Sequence, residues 1–112
     1  MWIFTESAFV SVVRHRERPD VLLVRARDRA SLEDFCEKAG VDAVEISRDE
    51  LADYRYRLLC SERELKGFLS RAVNELDYDN FKDRVSTTRG GRWHDALLEV
   101  WMTMRRLQTA CG

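Results

Sequence analysis

Tyr54-Arg55-Tyr56-Arg57-Leu58-Leu59-Cys60 runs without a gap into Ser61-Glu62-Arg63-Glu64-Leu65-Lys66-Gly67-Phe68-Leu69, and the pattern changes at Ser61. Before it, Tyr54, Tyr56, Leu58 and Cys60 alternate with Arg55 and Arg57, the period of two of a strand with one face buried. After it, Leu65, Phe68, Leu69, Ala72, Val73 and Leu76 recur at helical spacing. Ser61 and Glu64 stand three apart, the signature of a capping box at a helix start. A one-faced strand leading straight into a one-faced helix calls for a sheet with helices laid on it.

Working outward, Trp2–Thr5 and Phe9–His15 are rich in β-branched and aromatic residues, with Glu6-Ser7 as the turn between them. The only proline, Pro19, sits in the polar turn 16–20, and Val21–Arg27 follows as a strand. Ser31 is read as the N-cap of the next helix, with Asp34 at its capping-box position, Leu32, Phe35 and Cys36 as its stripe and Gly40 as its end. Ala43–Ile46 reads as a short strand and Arg48–Asp53 as a polar connection. Asn80 can cap a short helical turn over Phe81–Val85, Ser86–Gly91 reads as a flexible loop, and a last helix spans Ala96–Gln108. That helix is expected to bury Trp93, Ala96, Leu97, Val100, Trp101 and Met104. From Val21 onward the order β-α-β-β-α matches a ferredoxin-like half-wrap lacking its last strand, whose place Phe9–His15 can fill. The expected fold is one α+β domain over residues 1–112. It is a two-layer sandwich, an antiparallel ferredoxin-like-variant sheet (β-β-β-α-β-β-α-α) with helices on one face.

With 112 residues, 45% hydrophobic and 35% charged, the chain is long and apolar enough for one core, which excludes a disordered tail. The net charge of −1 conceals sixteen arginines against three lysines. Arginine is always charged and offers a planar fork for carboxylates or phosphates. Cys36, Cys60 and Cys111 are odd in number and widely spaced, with no CxxC or Cys/His cluster, so no zinc site or other cofactor is implied. Cys36 and Cys60 fall on apolar faces and read as buried thiols, and Cys111 as a tail residue, which suits a reducing cytoplasm. The N-terminus lacks the basic and apolar regions of a signal peptide, and no stretch approaches the ~20 apolar residues of a membrane span.

Four groups of residues are candidates for function. Arg25 and Arg27 on one strand and Arg55 and Arg57 on its expected neighbour place four guanidinium groups on the outer sheet face, able to take phosphates or an acidic protein. Single-strand nucleic-acid binders add exposed aromatics. Here the tyrosines alternate with the arginines and point to the other face, which ranks nucleic acid behind protein and behind a solvated face neutralised by Glu6, Asp28 and Glu45. His94-Asp95, beside Trp93, offers a general base, but neighbours on a helix point about 100° apart and do not form a dyad unaided. Around Asn80 and Phe81, which structure explains, Tyr78, Lys82, Arg84 and His94 are surplus to packing and suit an interface hot spot. Leu98 and Met102 lie off the main stripe of the last helix and point to a homodimer contact.

Nearly the whole chain resembles a family of small uncharacterised bacterial and phage-encoded proteins. The residues that carry the resemblance are Met1-Trp2-Ile3-Phe4-Thr5 with Phe9-Val10-Ser11-Val12-Val13, Leu22-Leu23-Val24-Arg25-Ala26-Arg27, Ala52-Asp53-Tyr54-Arg55-Tyr56-Arg57, Asp77-Tyr78 with Asn80-Phe81-Lys82, and His94-Asp95 leading to Val100-Trp101. The resemblance implies a small cytoplasmic protein compatible with mobile elements, and it carries no catalytic residue onto this chain. The functional expectation is a non-enzymatic module without cofactor that binds a protein partner stoichiometrically, of the kind phages use to inhibit host defence (anti-CRISPR type). A small enzyme using His94, or nucleic-acid binding through the arginine face, are the alternatives.

Overall fold

A computed structural model describes residues 1–111. The elements are β1 (Trp2–Phe4), β2 (Phe9–Arg14), β3 (Leu22–Ala26), α1 (Arg29–Ala39), a 3-10 turn (Ala43–Glu45), β4 (Ser47–Arg48), β5 (Tyr56–Cys60), α2 (Glu62–Asn74), α3 (Phe81–Arg89) and α4 (Gly91–Cys111). They fall into two compact units, Met1–Asp77 and Tyr78–Gly112.

The first unit is an α+β layer pair. Its five strands are all antiparallel, in the order β1-β2-β3-β5-β4. β2 pairs with β3, and β3 with β5. Alternation sends Val10, Val12, Leu22, Val24, Ala26, Leu58 and Cys60 to one face, where Leu32, Phe35 and Cys36 of α1 and Phe68 of α2 close over them. Phe35 and Phe68 meet at 4.7 Å between ring centroids, and both are fully buried. This contact joins the two helices directly above the sheet. The capping box of α2 is present as expected: Ser61 Oγ accepts from the Glu64 amide at 3.1 Å, and Glu64 accepts from the Ser61 amide at 2.8 Å. Gly40, at φ 75, ends α1 in the left-handed conformation that favours glycine.

Four local expectations are corrected here. The N-cap of α1 is Asp28, whose carboxylate accepts from the Ser31 amide at 3.1 Å. Ser31 is instead buried inside the first turn and its hydroxyl accepts from the Phe9 amide at 3.1 Å, while Asp34 turns to Lys38 at 3.0 Å. Both Asp28 and Ser31 carry N-cap chemistry, and the long-range bond to β2 decides between them. Ala43–Ile46 is not a strand: Asp42 accepts from the Val44 amide at 3.0 Å and winds a 3-10 turn, and a two-residue strand follows at Ser47–Arg48, in the stretch expected to be a polar connection. Finally, β5 starts at Tyr56 rather than Tyr54, because residues 50–54 are consumed by the hairpin that the bond from the Asp49 amide to the Arg55 carbonyl (2.8 Å) closes. Val73 on α2 and Leu76 just beyond its end are exposed, so the buried stripe is shorter than the spacing suggests.

The second unit is a pair of helices. Asn80 caps α3 by accepting from the Asp83 amide at 3.1 Å. α3 continues through the stretch expected to be a flexible loop. The Thr87 and Thr88 hydroxyls bond back to the Asp83 and Arg84 carbonyls at 3.3 Å each, so these threonines sit in a helix without stranded hydroxyls. Only Gly90, at φ 90, breaks the helix. α4 therefore starts at Gly91, five residues before its expected beginning, and Cys111 ends it rather than lying in a tail; the Cys111 side chain lies outside the described residues. Val85 and Leu97 are buried, but Val100, Trp101 and Met104, expected in the core, are exposed. Helical spacing identified an apolar stripe on α4 correctly; whether a neighbour covers it is not a local property.

Candidate functional site

Two surfaces gather chemistry-bearing side chains, one on each unit. On the first, the register places Trp2, Ser11, Arg25, Arg57 and Ser47 in one row across all five strands, on the face opposite α1 and α2. Flanking it, Phe4 pairs with Phe9 on one side, and Val13, Leu23 and Leu59 form a line on the other. Phe4 and Phe9 stack face to face at 4.2 Å, and Trp2 meets the edge of Phe9 at 5.8 Å. Trp2 remains 69% exposed.

Tyr54, freed from the alternation by the hairpin, is buried against two cations. The Arg25 and Arg27 guanidinium groups lie 4.7 and 4.5 Å from its ring centroid. Arg25 also donates to Ser11 Oγ at 2.9 Å, and Arg27 to the Asp53 carbonyl at 3.1 Å. Arg25 Nε is buried without a hydrogen-bond partner. Among the described residues none of Arg25, Arg27 and Arg57 forms an ion pair. Arg55 leaves the group and pairs with Glu50 at 3.4 Å. The four-arginine set is thus three, two of them held rigidly against a tyrosine. The aromatic partners come from β1, β2 and the hairpin. Their signal was in the sequence, since Trp2, Phe4 and Phe9 alternate with core residues as Ser11 does. A shallow depression of about 250 Å³ beside Arg57 is lined by Leu23, Glu45, Ser47 and Leu59.

On the second unit, Lys82 lies 5.6 Å from the Trp101 ring, as does Arg105, and Arg84 lies 5.1 Å from Tyr78, which in turn contacts Phe81 at 6.1 Å. Arg89 covers Trp93 at 4.1 Å. Tyr78, Lys82, Arg84 and His94 are half-buried rather than fully exposed. The aromatic–cation pairs that form are Tyr78 with Arg84 and Trp101 with Lys82, and Trp101 is the member that the sequence placed in the core. His94 Nδ1 lies 3.3 Å from Asp95 Oδ1, so side-chain torsions close the gap that helix geometry opens between neighbours. The contact is long and Asp95 is 81% exposed, which leaves water competing for it. Beyond Trp101, Met104, Arg105, Gln108 and Thr109 line a groove along α4.

The buried Cys36 and Cys60 are poor nucleophiles. Burial, with the negative charge of Glu64 adding to it, pushes the Cys60 thiol up to about 11, and burial likewise raises that of Cys36. Among the described residues no three His, Cys, Asp or Glu side chains are grouped to hold a metal ion, and no helix is long and apolar enough to cross a membrane. No family model, curated protein or solved structure matches the chain.

Proposed function

We propose that the protein is a binding module that engages a protein partner stoichiometrically through the exposed side of α4. The observation that carries this is the state of its C-terminal half: residues 101–110 are exposed throughout, with Val100, Trp101, Met104 and Leu107 at 43%, 48%, 57% and 52%. Ten residues of helix without tertiary cover are marginal in water, because helix nucleation costs more than a short run of hydrogen bonds returns. Large apolar groups repeated on such a helix favour a partner that covers them. Trp93, Leu97, Val100, Met104 and Leu107 follow a 4-3-4-3 spacing, the seam of a helix that packs on another helix. Trp101 between Lys82 and Arg105, and Tyr78 beside Arg84, supply the aromatic–cation combination that dominates interface energetics.

The finer identity follows from the resemblance noted above: a cytoplasmic, phage- or mobile-element-borne inhibitor of a host defence system, of anti-CRISPR type. The strand order β2-β3-β5-β4, with α1 and α2 on one face, supports a ferredoxin-like kinship in which the hairpin strand β2 replaces the missing last strand. The test compares wild type with the variant Trp101→Glu, Leu107→Glu by light scattering and by capture from a bacterial host lysate, with circular dichroism as the folding control. A specific captured protein, or a mass above the 13.2 kDa monomer, lost in the variant supports the proposal. A monomeric wild type that captures nothing, or a variant that behaves identically, refutes it.

A further inference from the structure

The face of the sheet turned away from α1 and α2 holds three guanidinium groups, of Arg25, Arg27 and Arg57, that form no ion pair among the described residues. Arg25 and Arg57 stand directly opposite each other on β3 and β5, and like charges in that position repel. Arg25 and Arg27 both pack over the Tyr54 ring, which fixes their direction at little further cost in side-chain freedom. Two preorganised guanidinium groups, with that of Arg57 beside them and no ion pair to any of the three among the described residues, form a site for an anion.

The same row identifies the anion. It starts at Trp2, 69% exposed, passes Ser11 and reaches Arg25 and Arg57, with the stacked Phe4–Phe9 pair beside it. Strands lie ~4.8 Å apart, so Trp2 and Arg57 are separated by three intervals, ~14 Å across the sheet. An open sheet of this breadth carries about two or three unpaired bases when aromatics are available for stacking. An acidic peptide would use the arginines and leave the indole face without a role. A duplex would use the charge and keep its base faces to itself. We propose that this sheet face binds single-stranded nucleic acid, with Arg25, Arg27 and Arg57 on phosphates and Trp2 stacked on a base. The surface is independent of α4. Because the chain as a whole carries −1, the attraction is local to this face rather than a property of net charge.

The test is fluorescence anisotropy with labelled oligo-dT and oligo-U of about twelve nucleotides and a duplex of equal length, between about 50 and 200 mM salt. Expected is binding of the single strands in preference to the duplex, with a slope of log affinity against log salt near −2, from three phosphates at about 0.7 each. Arg57→Gln, whose side chain contacts no other residue in an ion pair, lowers that slope by about 0.7. Trp2→Ala, at an exposed position, weakens binding about tenfold. Arg25→Gln also disturbs Ser11 and Tyr54, so these two variants carry the test. The proposal is overturned by a folded protein that binds no single strand at the lower salt. It is also overturned by equal binding of duplex, by affinities that neither variant changes, or by binding of poly-glutamate where the oligonucleotides fail.

Discussion

Lys38 should be the most consequential charged residue in the first unit, and Lys38→Met isolates its charge. The Lys38 side chain is 6% exposed, and its ammonium lies 3.0 Å from Asp34 and 3.2 Å from Glu75. Methionine keeps most of the apolar stem and removes the cation, leaving the two carboxylates to be satisfied otherwise. They are not equivalent. Asp34, at 18% exposure, pairs with no other cation among the described residues, whereas Glu75, at 39%, also meets Arg71 at 3.5 Å and can turn to water. Removing one partner of a buried pair costs about 3–5 kcal/mol, and a solvent-exposed pair is worth about 0–1 kcal/mol. With one contact of the first kind and one nearer the second, the expected loss is about 3 kcal/mol. The penalty comes from the stranded Asp34 charge, so Lys38→Met with Asp34→Asn should be more stable than Lys38→Met alone. Urea denaturation followed by circular dichroism measures all three proteins. A pH series adds a second check. Burial lowers the Lys38 pKa, but its hydrogen bonds and charge pairing with Asp34 and Glu75 outweigh that and raise it above the usual 10.5. A raised folded-state pKa means that the contribution is fully present below 10.5 and is lost as pH climbs through the folded value. Wild type should therefore lose its advantage over Lys38→Met on the alkaline side. A loss below about 1 kcal/mol, or a double variant less stable than the single one, would show that the network behaves as a surface pair.

Phe68→Ala should cost about 3–5 kcal/mol in the same urea assay, because it empties the contact with Phe35 above the sheet; a loss under 1 kcal/mol contradicts the packing of α2. Tyr78→Ala with Lys82→Ala should weaken partner binding by about 2 kcal/mol, and because both side chains are half-buried its melting temperature must be measured alongside; a folded variant with unchanged binding removes them from the interface. Cys36 and Cys60 should resist a thiol reagent in the native protein and react in urea, read site by site by mass spectrometry, since burial disfavours both thiolates; rapid native labelling of Cys60 would contradict its burial.

Local chemistry, readable residue by residue, settled much of the first unit and the start of the second. The Ser61–Glu64 box, the Gly40 stop, the Asn80 cap and the alternation in β2, β3 and β5 depend on neighbours within four positions, so the sequence alone determined them. Where two local solutions competed, only the tertiary structure chose. Asp28 caps α1 because Ser31 is claimed by Phe9 of β2, twenty-two residues away. Tyr54 belongs with Arg25 and Arg27 because the 50–54 hairpin interrupts the period that placed it with Tyr56. Threonines and paired glycines in residues 86–91 suggest a loop, yet hydroxyls bonded back to the preceding turn let the helix run to Arg89. The two surfaces show the same division. That α4 has an apolar seam is written in its spacing, but that its second half stands uncovered depends on where the rest of the chain goes. Trp2 and Arg57 are fifty-five positions apart in sequence and share a row because four strands pair in one register. A side chain's periodicity states which way it points, and only the pairing of distant backbone states what it points with.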